Sequence, residues 1–203
     1  FLIGGDTVYS NKLVFSITIF GTIKKGESLN RSKAKAGDLI FVTNNIGEAF
    51  LGRTNPDKYS QEHHFFPQPR VDFCLGLVKN KLSKCAIDIS DGLLADLNHI
   101  CQASKLSAEI QYEKIPISES AKEFLKNNSS VKTLDLFSGG DDYEIIFSCK
   151  AKDKNKILKK LEKYEVKEFL EIFNVILEHK DDAPLRANMI EFKSEVDYIR
   201  YLK

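Results

Sequence analysis

The strongest constraint on the fold of this chain is a change of period between residues 86 and 97. Ile87 and Ile89 alternate with Asp88 and Ser90, which in an extended strand turns the apolar pair to one face and the polar pair to the other. Leu93, Leu94, Leu97, Ile100 and Cys101 then recur at helical spacing and mark one face of a helix. A strand must therefore end and a helix begin at Ser90-Asp91-Gly92. Ser90 or Asp91 suits the cap of that helix, since its side chain can accept from the first free backbone N–H groups. A helix N-terminus also favours anions. Carboxylates crowded there repel phosphate and one another unless a divalent cation lies between them, and magnesium is commonly shared between carboxylates and substrate phosphates. The residues alone leave two readings level: a metal and phosphate site at Asp88, Ser90 and Asp91, or a plain helix cap with Asp88 exposed beside it.

The rest of the chain repeats this strand and helix alternation. Residues 13–23 (LVFSITIFGTI) are rich in β-branched and aromatic side chains and read as a strand, and Phe1-Leu2-Ile3 reads as the end of a buried one. Residues 24–35 form a polar, basic connection. Residues 38–43 (DLIFVT) predict a short buried strand, followed by turn chemistry at Asn44-Asn45-Ile46-Gly47. Residues 54–69, with Pro56, Pro67 and Pro69, read as an irregular loop. Pro69 fits the first turn of a helix through Val71, Cys74, Leu75 and Val78. Further strands are expected at 85–89, 108–112 and 143–149, with helices at 118–126 and through Ile157, Leu158, Leu161 and Tyr164. Such a sequence of elements predicts an α+β (α/β layered) domain.

Bulk properties narrow the function classes. With 203 residues, the chain suffices for one substantial domain, or one and part of another. A formal net charge of +1 gives no global field that would argue for nucleic acid or a membrane surface. Apolar runs are broken by charges before a membrane span is complete. Cys74, Cys85, Cys101 and Cys149 form no C-x-x-C pair and sit in apolar stretches, which favours free thiols in a reducing, cytoplasmic setting over zinc or disulfides. His63 and His64 lie in a polar stretch with no ligand at metal-binding spacing, and His99 reads as structural. The opening at Phe1, without a methionine, reads as a fragment.

The string Ala86-Ile87-Asp88-Ile89-Ser90-Asp91-Gly92-Leu93-Leu94-Ala95-Asp96-Leu97 resembles the signature of thiamine-monophosphate kinases, members of the AIR synthase-like (PurM-like) ATP-binding superfamily. Four other segments match in the same order. Ile3-Gly4-Gly5-Asp6-Thr7 is similar to the family's G-G-D-T turn, and residues 31–38 (RSKAKAGD) to its R-S-G-A-K-P-G-D segment. Pro67-Gln68-Pro69-Arg70 fits a P-x-P-R signature, and residues 138–144 (SGGDDYE) resemble its S-G-G-E-D-Y-E loop.

The resemblance implies transfer of the γ-phosphoryl group of ATP to thiamine monophosphate with Mg2+, by positioning and charge stabilisation. It implies Asp6, Asp88 and Asp91 as magnesium ligands, with Asp88 and Asp91 central to catalysis. Gly5, Asp6, Arg31 and Ser90 would contact ATP, and Asp141 would stand where the family holds thiamine with a glutamate. It further implies a homodimer, with residues 1–30 as the end of an N-terminal β-rich ATP-binding domain and 31–203 as the AIR synthase-like C-terminal domain. Three departures stand out: the aspartate-rich stretch that precedes G-G-D-T in the family is not present in these residues, Asp141 is one methylene shorter than glutamate, and Val196 occupies an aromatic position. A non-catalytic or split-chain half that binds nucleotide weakly is the alternative, and another member of the superfamily with a different phosphate acceptor is a third.

Overall fold

The computed structural model describes residues 1–54, 58–110, 114–161, 169–174, 176–178 and 190–192. Its elements run β1 (Asp38–Thr43), α1 (Glu48–Thr54), α2 (Lys58–Phe65), α3 (Val71–Lys79), β2 (Cys85–Asp88), α4 (Leu93–Ser104), β3 (Leu106–Ile110), α5 (Glu119–Asn127), α6 (Thr133–Phe137), β4 (Ile145–Lys150), α7 (Lys154–Leu161), β5 (Phe169–Asn174), β6 (Ile176–Glu178) and β7 (Ile190–Phe192). Short 3-10 turns lie at Arg31–Lys33 and Ala151–Asp153. The architecture is α+β, as expected.

A strand as apolar as β1 is stable only where both of its faces are covered, and every residue of β1 is buried. It sits inside an antiparallel sheet of order β2-β4-β1-β5, paired with β4 from Asp38↔Lys150 to Val42↔Ile146. The two-residue period of the strand divides the core between the sheet's two faces. Ile40, Val42 and Ile146 pack with Leu93, Leu94, Leu97 and Ile100 of α4. Leu39, Phe41 and Phe147 pack on the other face with Phe73 and Leu77 of α3 and Ile157 of α7. Phe41 stacks on Phe147 with ring centroids 5.3 Å apart, and Phe73 meets Phe147 tilted at the same separation. A second sheet, of order β6-β3-β7, continues from the end of α4.

Two expectations need correction. Residues 13–23 form no strand: Leu13, Val14, Phe15, Ile17, Ile19, Phe20 and Ile23 are all exposed, as are Phe1, Leu2 and Ile3. Their composition is that of a strand, but β structure requires a hydrogen-bonding neighbour, and none pairs with them among the described residues. Residues 54–69 are not all loop, since α2 occupies Lys58–Phe65 and carries His63 and His64. The three prolines flank that helix instead of interrupting it. The end of the expected strand at residues 111–112, Tyr164 and Val196 lie outside the described residues.

Candidate functional site

The turn after β2 is built by two glycines and one buried aspartate. Beyond the paired residues of β2 and β4, the two segments stay hydrogen-bonded but slip out of the strand register: Ile89 N–H donates to Glu144 O at 2.8 Å, Tyr143 N–H to Ile89 O at 2.8 Å, and Asp141 N–H to Ser90 O at 2.9 Å. This brings the 138–144 loop against the 86–97 segment. Gly140 has φ +69, and a Cβ there would lie 2.6 Å from Ser90 O. Gly92, at φ 115 and ψ 152, occupies a region essentially reserved for glycine, with the Phe137 and Ser138 backbone 3.0 Å from where a Cβ would sit.

Neither Ser90 nor Asp91 caps α4, contrary to the capping alternative. The N-cap position is Gly92, without a side-chain cap, and the work is done from inside the helix. The Asp96 carboxylate, 2% exposed as a residue, accepts from the Ser90 and Asp91 N–H groups, each at 3.0 Å. Burial pushes the Asp96 carboxyl up, the two amides draw it down, and Asp91 and Asp88 push it up again. The Asp91 side chain is left 72% exposed.

Asp88, Ser90, Asp91, Asp96 and His99 line a polar recess of about 510 Å³ with Asn30 and Arg31. The Asn30 carboxamide accepts from Ser32 N–H at 3.0 Å, and Arg31 O accepts from Ser104 Oγ at 2.8 Å, which anchors the 3-10 turn against α4. The structure thus gathers four expected residues, Arg31, Asp88, Ser90 and Asp91, although they come from segments nearly sixty positions apart. Carboxylates, a hydroxyl and a guanidinium suit a hard, oxygen-preferring cation shared with phosphate.

The other expected residues stand apart from the recess. Gly5 and Asp6 belong to the exposed first stretch: no atom lies within 4 Å of a Gly5 Cβ, and the bond given for Asp6 is local, accepting from Thr7 N–H at 2.8 Å. Asp141 touches Ser90 through its backbone only. Its carboxylate faces Arg53, with Oδ2 3.4 Å from NH1, and is not among the recess walls.

Several functional or supporting residues were invisible as such in the sequence. Arg70 of the P-x-P-R segment donates to both oxygens of Glu144, at 2.8 and 2.6 Å, while Thr43 Oγ1 donates to Glu144 Oε2. The two family-like segments therefore meet in one half-buried ion pair. Asp142 accepts from Gly47 N–H at 3.0 and 3.1 Å and from Ala49 N–H at 3.3 Å, and burial pushes its carboxyl up to about 7. His99 lies with Nε2 4.0 Å from Asp91 Oδ2, and helical spacing from Asp96 was the signal that could have found it. The cysteines are free thiols, and burial pushes Cys101 and Cys149 up to about 12, which excludes them as ready nucleophiles. A separate apolar groove of about 550 Å³, lined by Ile23, Leu29, Val71, Leu75 and Tyr143 among others, shares only Leu29 and Asp88 with the polar recess.

Among known proteins, the model of the AIR synthase related protein, C-terminal domain, matches residues 35–181. Thiamine-monophosphate kinase of Haemophilus influenzae is 35% identical over 175 residues, covering 81% of this chain and 52% of that protein. The enzyme of the same name from Buchnera aphidicola of Acyrthosiphon pisum is 39% identical over 173 residues, covering 78% and 52%. The crystal structure of thiamine-monophosphate kinase from Stenotrophomonas maltophilia superposes with a TM-score of 0.70 at 26% identity, covering 84% of this chain and 54% of that one. The chain spans about half the length of the curated relatives it matches.

Proposed function

The chain belongs to the AIR synthase related family, matched through its C-terminal domain, and on that premise we propose that it supplies the C-terminal half of a thiamine-monophosphate kinase site. The reaction is transfer of the γ-phosphoryl group of ATP to thiamine monophosphate, giving thiamine diphosphate. One observation carries the reading: Arg31, Asp88, Ser90 and Asp91 converge on a single polar recess at the start of α4.

Asp88 and Asp91 would hold magnesium there, which when bound neutralises phosphate charge and orients the transferring group. Arg31 offers a planar, permanently charged fork for phosphate oxygens. Ser90 adds a hydroxyl donor, and its backbone is fixed by Asp96 and by the Asp141 amide, so it meets a ligand without first being ordered. Asp141 would reach the thiamine part only after leaving Arg53, a surface pair of little intrinsic strength. Residues 1–30 would belong to the ATP-binding unit, which brings Gly5 and Asp6 to the site in a homodimer.

The purified chain is assayed for ATP-dependent formation of thiamine diphosphate and, by calorimetry, for binding of ATP with magnesium. Asp88→Asn combined with Asp91→Asn should abolish both. A rate that survives the double substitution would falsify the metal assignment. A second reading, favoured by the exposed position of Gly5 and Asp6, is a half that binds nucleotide weakly and lacks turnover alone. ATP binding without product formation would select it.

A further inference from the structure

The apolar groove has walls that the packing of the core does not account for. Helix α3 turns Phe73 and Leu77 into the core, yet Val71, Leu75 and Val78 recur at i, i+4 and i+7 on its opposite side and line the groove. Val71 and Leu75 are each more than half exposed. Tyr143 forms part of another wall and is held at φ +50, in the left-handed region that an aromatic residue rarely adopts. Its N–H is tied to Ile89 O at 2.8 Å, which fixes this conformation and leaves the residue 40% exposed. Backbone of this kind persists only where the surroundings hold it, and it is concentrated at ligand sites.

What the groove can take is set by its walls and by its neighbour. Its volume of about 550 Å³ lies within the range of small-molecule pockets. The walls are almost wholly apolar, and the Arg70 guanidinium among them is committed to Glu144, which leaves it unavailable to a phosphate. Leu29 and Asp88 line the groove and the polar recess alike, so the two hollows adjoin. A ligand that spans both must carry a bulky apolar end and an anionic end. A purine nucleotide is such a molecule. Asp141 lines neither hollow, so the phosphate acceptor assigned to it makes no claim on the groove.

We propose that the groove between α3 and Tyr143 holds the purine ring of the nucleotide whose phosphates enter the recess, through apolar contact with Val71, Leu75 and Tyr143. The inference rests on the reading of the recess as a metal and phosphate site. It adds the part that distinguishes a nucleotide from bare polyphosphate.

The full chain with Mg2+ is titrated by calorimetry with ATP and with inorganic tripolyphosphate, before and after Val71→Gln and Leu75→Gln are made together. Both positions are exposed and glutamine is a good helix former, so the fold should survive, as circular dichroism checks. Loss of contact with the base should weaken ATP at least about tenfold and leave tripolyphosphate unchanged. Equal ATP affinity in the two proteins overturns the groove, as does an equal loss for both ligands. The parent chain supplies a second reading through Cys74, half-buried on the groove wall, whereas Cys85, Cys101 and Cys149 are buried. Alkylation of Cys74 by iodoacetamide, followed by mass spectrometry, should slow with saturating ATP and not with tripolyphosphate. Alkylation indifferent to ATP overturns the groove, and so does protection that grows with protein concentration alone, in favour of a second copy of the chain. ATP binding that is weakened in the groove variant and survives Asp88→Asn with Asp91→Asn upholds the groove and sinks the metal assignment. The opposite pattern keeps the metal assignment and removes the groove. A parent chain that binds neither ligand overturns both.

Discussion

Gly140 and Gly92 show how much of the site depends on the absence of side chains. A methyl group on Gly140 would press on Ser90 O, the carbonyl that accepts from Asp141, and its φ of +69 is costly for any L-residue. Gly37 has a similar φ of +80 with nothing within 4 Å of a Cβ, which makes it a matched control. Gly37→Ala should cost about 1–2 kcal/mol from backbone conformation alone, and Gly140→Ala about 1–3 kcal/mol more from the clash, both read by urea denaturation. Asp142 gives a second prediction at this scale. Its folded carboxyl is raised from 3.8 to about 7, so the folded state holds a proton that the unfolded state has lost between those values. Its stabilising contribution is therefore complete below about pH 4 and disappears as pH rises through about 7. Stability of the parent chain should fall across that window relative to Asp142→Asn, and parallel curves for the two proteins would refute the assignment. None of these roles could be read from the string Gly139-Gly140-Asp141-Asp142, which is compatible with any hairpin turn.

The elements meet at Glu144, and there the interaction energy is concentrated. Arg70 at the start of α3, Thr43 at the end of β1 and Glu144 just before β4 share one carboxylate, with the Arg70 side chain 24% and the Glu144 side chain 8% exposed. Removing the guanidinium leaves a buried charge unpaired. Arg70→Ala should cost about 3–5 kcal/mol, and a double-mutant cycle with Glu144→Gln should recover much of it, since no uncompensated carboxylate then remains. Strict additivity would show that the pair is not coupled. The periods of α3, α4, β1 and β4 were plain in the sequence because each buries one clean apolar face or run. By contrast α1 and α6 are short and were not expected, and α2 was hidden among prolines. Segments of five to eight residues carry too few turns for a period to stand out.

At the scale of the molecule, residues 1–23 are the anomaly, a run of exposed apolar side chains joined to a well-packed body. Chymotrypsin should cut first after Leu13, Phe15 or Phe20, and a chain beginning at residue 24 should keep the thermal midpoint of the parent while aggregating less. A large drop in that midpoint would mean that the stretch packs on the body in solution. The sequence by itself determined the order of the main elements, the faces they bury and the strand-to-helix turn at Ser90-Asp91-Gly92, because these depend on local periodicity and on backbone limits of neighbouring residues. It also carried the family resemblance, since motif spacing is a property of the string. Only the tertiary structure decided which residues share the recess. Pairing beyond the ends of β2 and β4 set Asp141 beside Ser90 yet turned its carboxylate toward Arg53, and a helix turn placed Asp96 and His99 behind Asp91. It likewise left residues 13–23 unpaired, for strand propensity supplies a willing backbone, whereas the hydrogen bonds that make a strand must come from another segment.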